Sequence, residues 1–103
     1  MKIFFFLTLI SFQISTFSAP FSAGSFKVGK ELHDKNCISC HNGMMPDNKG
    51  NDLYLPEFRS ITTSVKLNSQ VEFCANQNDL FWFEEEIESV SKFLNESFYK
   101  FTD

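Results

Sequence analysis

The sequence predicts an all-α domain of three to four small helices, and three observations carry that expectation. At 103 residues the chain has room for one domain only. Apolar residues recur at three- and four-residue spacing in the segments 25–37, 66–75 and 84–98, as they do on one face of a helix. The stretches between them hold Gly, Pro, Asn and Asp, with no internal repeat and no linker long enough to divide the domain.

Ahead of the first helix lies a segment of different character. Lys2 gives a short positive end, residues 3–14 are apolar except for Thr8, Ser11 and Gln13, and residues 15–19 are rich in small side chains. This is the pattern of a secretory signal peptide covering residues 1–18, with cleavage between 18 and 24 and a domain spanning 19–103. The apolar run falls short of the roughly 20 residues of a spanning helix and is followed by Pro20, so no membrane span is expected after cleavage. Six of the 14 Phe fall within the first 21 residues, and the first acidic residue is Glu31. Removal of the leader takes Lys2 away and moves the net charge from −4 to −5, eight basic against thirteen acidic residues. An acidic chain argues against nucleic acid or anionic lipid as a partner.

Ser25 is the expected N-cap of the first helix, with Val28, Leu32 and Asn36 or Cys37 along its apolar face. Breakers at Gly43, Pro46, Asn48, Gly50, Asn51 and Pro56 make residues 42–56 an expected loop. A second helix over 66–75 places Leu67, Val71 and Cys74 on one stripe. Residues 76–79 break it. The third helix opens on Glu84, Glu85 and Glu86, whose charge suits a helix N-terminus, and carries Ile87, Val90, Leu94 and Phe98 as its apolar stripe.

Domains of about 85 residues sit near the size at which a hydrophobic core alone is marginal, and they commonly recruit disulfides, metals or cofactors. Three cysteines cannot all pair, which excludes a pure disulfide framework. Two of them stand in Cys37-Ile38-Ser39-Cys40-His41, the C-x-x-C-H sequence of c-type haem attachment. On one helical turn the two thiols face the same side, where each can add to a haem vinyl group, and the adjacent His41 then presents an imidazole nitrogen to the iron. Two other chemistries use the same residue types. A thioredoxin-like dithiol would need a preceding strand, and a zinc site would need further ligands from His33, Cys74 or carboxylates.

The block Gly29-Lys30-Glu31-Leu32-His33 leading into Asn36-Cys37-Ile38-Ser39-Cys40-His41-Asn42-Gly43 resembles the N-terminal helix and haem turn of the small bacterial monohaem c-type cytochromes. The stretch from Glu86 to Leu94 is similar to their C-terminal helix. The resemblance implies one covalently attached haem c, bound through Cys37 and Cys40, with His41 as proximal iron ligand. It also implies that a proline carbonyl after the motif holds the second His41 nitrogen, and Pro56 is better placed for this than Pro46. Arg59, the only arginine, is a candidate partner for a haem propionate, with an exposed solubilising role as the alternative.

Members of that family commonly close the far face of the iron with a downstream methionine, and this chain departs from the pattern. Met44 and Met45 follow His41 by three and four residues, a tether of at most about 10 to 14 Å, too short to round the porphyrin edge. Cys74 is the candidate sixth ligand: it is the one thiol the haem leaves unused, and the segment 67–74 resembles the thiolate-ligated cytochromes of sulfur oxidation. A small core residue or an intermolecular disulfide are its alternative roles. His33 ranks below it, Asn76 and Asn78 lower still, and an open iron position remains a further option.

The expected function is that of a periplasmic electron carrier serving other redox proteins through small, transient interfaces. No convincing acid–base pair marks it as an enzyme. The alternative is a haem protein whose open or thiolate-ligated sixth position binds small gases or takes part in sulfur-compound oxidation. Glu84, Glu85 and Glu86 read as a solvated helix start or as a docking patch. Trp82 with Phe81 and Phe83 reads as core or haem packing, or as an exposed recognition cluster.

Overall fold

The computed structural model describes residues 19–103, so the export leader of residues 1–18 lies outside the described residues. Four helices follow in order: α1 (Phe26–Asn36), α2 (Ile38–Met44), α3 (Ser64–Gln77) and α4 (Glu84–Leu94). No strand occurs among the described residues, and the architecture is all-α. No helix among them is long and apolar enough to cross a membrane.

Side-chain caps fix where the helices begin. Ser25 accepts a hydrogen bond from the Val28 amide at 3.2 Å, and Thr63 accepts one from the Lys66 amide at the same 3.2 Å. The Thr63 cap starts α3 two residues before the apolar pattern begins, and Asn78 closes its end by donating from Nδ2 to the Cys74 carbonyl at 2.7 Å. Phe83 precedes α4, whose first turn carries Glu84, Glu85 and Glu86 as expected. After Leu94 the helix widens into a single π turn, Asn95–Tyr99. The buried Asn95 side chain stabilises that turn by pairing with both backbone groups of Phe101, at 2.8 and 3.0 Å.

The packed face of α1 differs from the apolar stripe read in the sequence. Val28 is exposed and Leu32 half-buried, while the buried positions are Gly29 and His33. The reason is a close helix crossing. A Cβ at Gly29 would lie 1.9 Å from the Ser89 carbonyl oxygen of α4, so the two backbones touch there. Phe26 and His33 then flank the Phe93 ring, with centroids 5.4 and 5.0 Å away. Leu67 and Val71 of α3 join Ile87, Val90, Phe93 and Leu94 of α4 in the core, where Tyr54 and Tyr99 complete it. Phe98 is only half-buried but packs on this cluster.

The expected loop after the motif contains more order than its breakers suggest. The helix continues to Met44, and two 3₁₀ turns follow at Pro46–Asn48 and Gly50–Tyr54. Asp47 and Asn48 take left-handed conformations (φ of 57° and 56°), which short polar side chains tolerate.

Candidate functional site

The motif sits on a nearly unbroken helical path. Cys37 separates α1 from α2, yet its amide donates to the His33 carbonyl at 2.8 Å and its carbonyl accepts from the His41 amide at 3.1 Å. Cys40 and His41 thereby lie about one helical turn beyond Cys37, each a neighbour of it on the helix surface. All three line a cavity of about 430 Å³, a size ordinary for a cofactor pocket and far above the voids of a packed interior.

The cavity wall is mainly apolar. Leu53 and Tyr54 contribute from the second 3₁₀ turn, Leu67, Val71 and Cys74 from α3, Leu80 and Trp82 from the connection that follows, and Val90, Leu94 and Tyr99 from the C-terminal segment. Met44, Phe58 and Phe73 also line it, and their side chains are exposed. A bound apolar group would cover these three. Trp82 thus faces the cavity, whereas Phe81 and Phe83 on either side of it point to solvent.

His41 is oriented by a residue that the sequence reading did not single out. Its Nδ1 lies 2.7 Å from the Tyr54 hydroxyl, which also lies 2.8 Å from Nε2 of His33. The expected Pro56 carbonyl plays no part, since Tyr54 occupies the position opposite Nδ1. Gly50 brings Tyr54 there: its amide donates to Asn42 Oδ1 at 2.8 Å, and a Cβ on Gly50 would lie 2.5 Å from the Asn42 nitrogen. Only glycine permits that approach of the turn to α2. Tyr54 carried no distinguishing signal beyond its place between Leu53 and Leu55.

His33 is fully buried and does not line the cavity. Its two ring nitrogens are engaged by Tyr54 and, at 3.1 Å, by Asp34 Oδ1. Cys74 does line the cavity, half-buried, with Gln70 Nε2 donating to its sulfur at 3.2 Å. Asn78 also reaches the lining and Asn76 does not. Arg59 lines the cavity as well. Its Nη1 donates to the carbonyls of Tyr54 and Phe98, each at 3.2 Å, and its guanidinium carbon stands 4.7 Å from the centre of the Tyr99 ring.

Burial governs the protonation of the site. It pushes the Cys37 thiol up to about 11, with the nearby Cys74 and Cys40 adding to the effect. A protonated thiol is the reverse of what an attacking redox dithiol requires. Burial also lowers His41, with His33 contributing, and raises Tyr54, so both keep their neutral forms near pH 7.

No protein-family model, curated protein or solved structure matches the chain. The resemblance to c-type cytochromes therefore rests on the sequence alone. The donor set suits a haem. Two thiols and an imidazole line one mainly apolar cavity, with a tyrosine holding the imidazole and an arginine also in the lining. A zinc cage is less well served: among the described residues, no three His, Cys, Asp or Glu side chains converge.

Proposed function

We propose that this chain is an exported monohaem c-type cytochrome that carries single electrons between redox proteins in the periplasm. The observation that carries the reading is the joint placement of Cys37, Cys40 and His41 on the wall of one apolar cavity of about 430 Å³. A haem held there supplies one-electron chemistry through the ferric and ferrous states of its iron. Cys37 and Cys40 anchor it by thioether bonds, and Nε2 of His41, which makes no hydrogen bond among the described residues, is the nitrogen available to iron. Leu67, Val71, Val90 and Leu94 exclude water from the ring. Arg59 keeps Nε and Nη2 uncommitted among the described residues and can meet a propionate carboxylate.

A second reading is favoured by Cys74, whose thiol lines the same cavity while His33 does not. As a thiolate ligand, or beside an open iron position, Cys74 would fit a haem protein that binds small gases or handles sulfur compounds.

The test is to express the full chain with its leader alongside a haem-attachment system, and to measure covalent haem content and the reduced spectrum with and without carbon monoxide. The carrier is supported by one haem per chain, lost in Cys37→Ala and Cys40→Ala, and a low-spin spectrum that carbon monoxide leaves unchanged. Rapid carbon monoxide binding, or a spectrum whose sixth ligand is lost in Cys74→Ala, selects the second reading. Absence of covalent haem removes both.

A further inference from the structure

Four side chains form an ordered path from the protein surface to the imidazole of the motif. Asp34 Oδ1 lies 3.1 Å from His33 Nδ1, His33 Nε2 lies 2.8 Å from the Tyr54 hydroxyl, and that hydroxyl lies 2.7 Å from His41 Nδ1. The outer end is solvated: Asp34 is exposed and its other oxygen, Oδ2, takes a 2.7 Å salt bridge from Lys30. The inner members are sealed, since His33 has no exposed surface and Tyr54 is 6% exposed.

For a neutral His33, the form its complete burial favours, the groups leave one proton arrangement. An ionised carboxylate only accepts, so Nδ1 of His33 carries a hydrogen and donates to Asp34. A neutral His33 then has an acceptor at Nε2, and the tyrosine hydroxyl must donate to it. That leaves the hydroxyl oxygen to accept from His41, which fixes the hydrogen of His41 on Nδ1 and its free lone pair on Nε2. In this direction each of the three contacts pairs one donor with one acceptor. In the reverse direction a neutral His33 would carry its hydrogen on Nε2, leaving Asp34 Oδ1 and His33 Nδ1 as two acceptors in contact.

We infer that Tyr54 is the positioning residue of the site, setting the His41 tautomer and passing the negative charge of Asp34 through His33 to the imidazole that faces the cavity. A carbonyl acceptor would hold His41 but report nothing from the surface. The tyrosine–histidine relay makes the electron density of His41 answer to an exposed ion pair, because each donor in the chain is polarised by the acceptor beyond it. The effect on a redox potential rests on the haem reading. The tautomer of His41 does not.

The test begins with the haem content of the full chain as purified. Where haem is present, Tyr54→Phe is expected to raise the reduction potential and to speed exchange of the His41 Nδ1 proton with solvent, because the ferric state loses a more electron-rich ligand. Asp34→Asn should move the potential in the same direction by a smaller amount. Glu31→Gln, which removes an equal charge from an exposed position on the same helix, should move it less than Asp34→Asn does. Unchanged potential in Tyr54→Phe, or equal shifts in Asp34→Asn and Glu31→Gln, overturns the relay. Asp34 lies at the surface, so this comparison holds even where Tyr54→Phe does not fold. Where haem is absent, nitrogen-15 NMR of the same chain reads the tautomer directly. His41 protonated at Nδ1, changing to Nε2 in Tyr54→Phe, supports the inference, and Nε2 protonation in the unsubstituted chain refutes it.

Discussion

Gly29 of α1 and Ser89 of α4 meet backbone to backbone, with the site of a Gly29 Cβ only 1.9 Å from the Ser89 carbonyl oxygen. Neither partner is a flexible side-chain end, so the helices themselves would have to separate. Alanine is favoured over glycine in a helix by about 1 kcal/mol. Overpacking typically costs 1–3 kcal/mol, and a contact this short belongs at or beyond the upper end. Gly29→Ala is therefore expected to destabilise the chain by about 2 kcal/mol or more. Gly43→Ala is the control, because a Cβ there meets nothing within 4 Å and should stabilise α2 by up to about 1 kcal/mol. Denaturant midpoints of the two variants should move in opposite directions.

The Gly29 contact also shows what the amino-acid pattern conveys and what it conceals. Leu67 and Val71 in α3, and Ile87, Val90 and Leu94 in α4, sit at helical spacing and are buried, so the existence and inner faces of those helices are legible from periodicity. Periodicity fails for α1 because that helix packs through a glycine and a histidine, which hydropathy does not mark. The motif residues are legible because their chemistry demands fixed spacing. Tyr54 is not, since it acts through a contact 13 residues from His41 that depends on the backbone approach at Gly50.

Cys74 distinguishes the two functional readings. Its position on the cavity wall places it within the region a haem would occupy, whereas His33 has both nitrogens committed elsewhere. If Cys74 ligates the iron, Cys74→Ala in the haem-bearing chain alters the absorption spectrum and opens the iron to carbon monoxide. An unchanged spectrum and potential would eliminate thiolate ligation and leave Cys74 as a packing residue.

Acid should weaken the fold before its carboxylates titrate. His33 is lowered from 6.5, chiefly by burial, against the raising effect of Asp34. A depressed histidine binds its proton more readily in the unfolded chain, so stability rises with pH and falls as pH drops below about 6.5. His41 is lowered in the same sense. Asp34 is also lowered, first by Lys30, but a carboxylate below 3.8 loses its contribution only at more acid pH. Urea midpoints should be level near pH 7.5 and decline toward pH 5, because the unfolded chain binds protons that the buried His33, and to a smaller extent the half-buried His41, resist. Flat midpoints over that range would contradict the assignment of a buried, neutral His33.

Arg59 joins the segment ahead of α3 to the C-terminal turn, and lysine cannot replace it there. One nitrogen serves two carbonyls, those of Tyr54 and Phe98, while the planar group stacks on Tyr99 at 4.7 Å and approaches Phe101 at 5.6 Å. A lysine ammonium keeps the charge but loses the stacking plane, and a shorter reach leaves at least one carbonyl without its donor. Losing one hydrogen bond from a charged donor costs about 1.5–3 kcal/mol, partly recovered where water reaches the half-buried site. Arg59→Lys should thus destabilise by about 1–2 kcal/mol, a fall in Tm of roughly 5–12 °C for a domain of this size. The propionate role adds a separate signature: in the haem-bearing chain the substitution should also shift the reduction potential, because the charge facing the carboxylate becomes more mobile and more hydrated. A lower Tm with an unchanged potential would assign Arg59 to the fold alone.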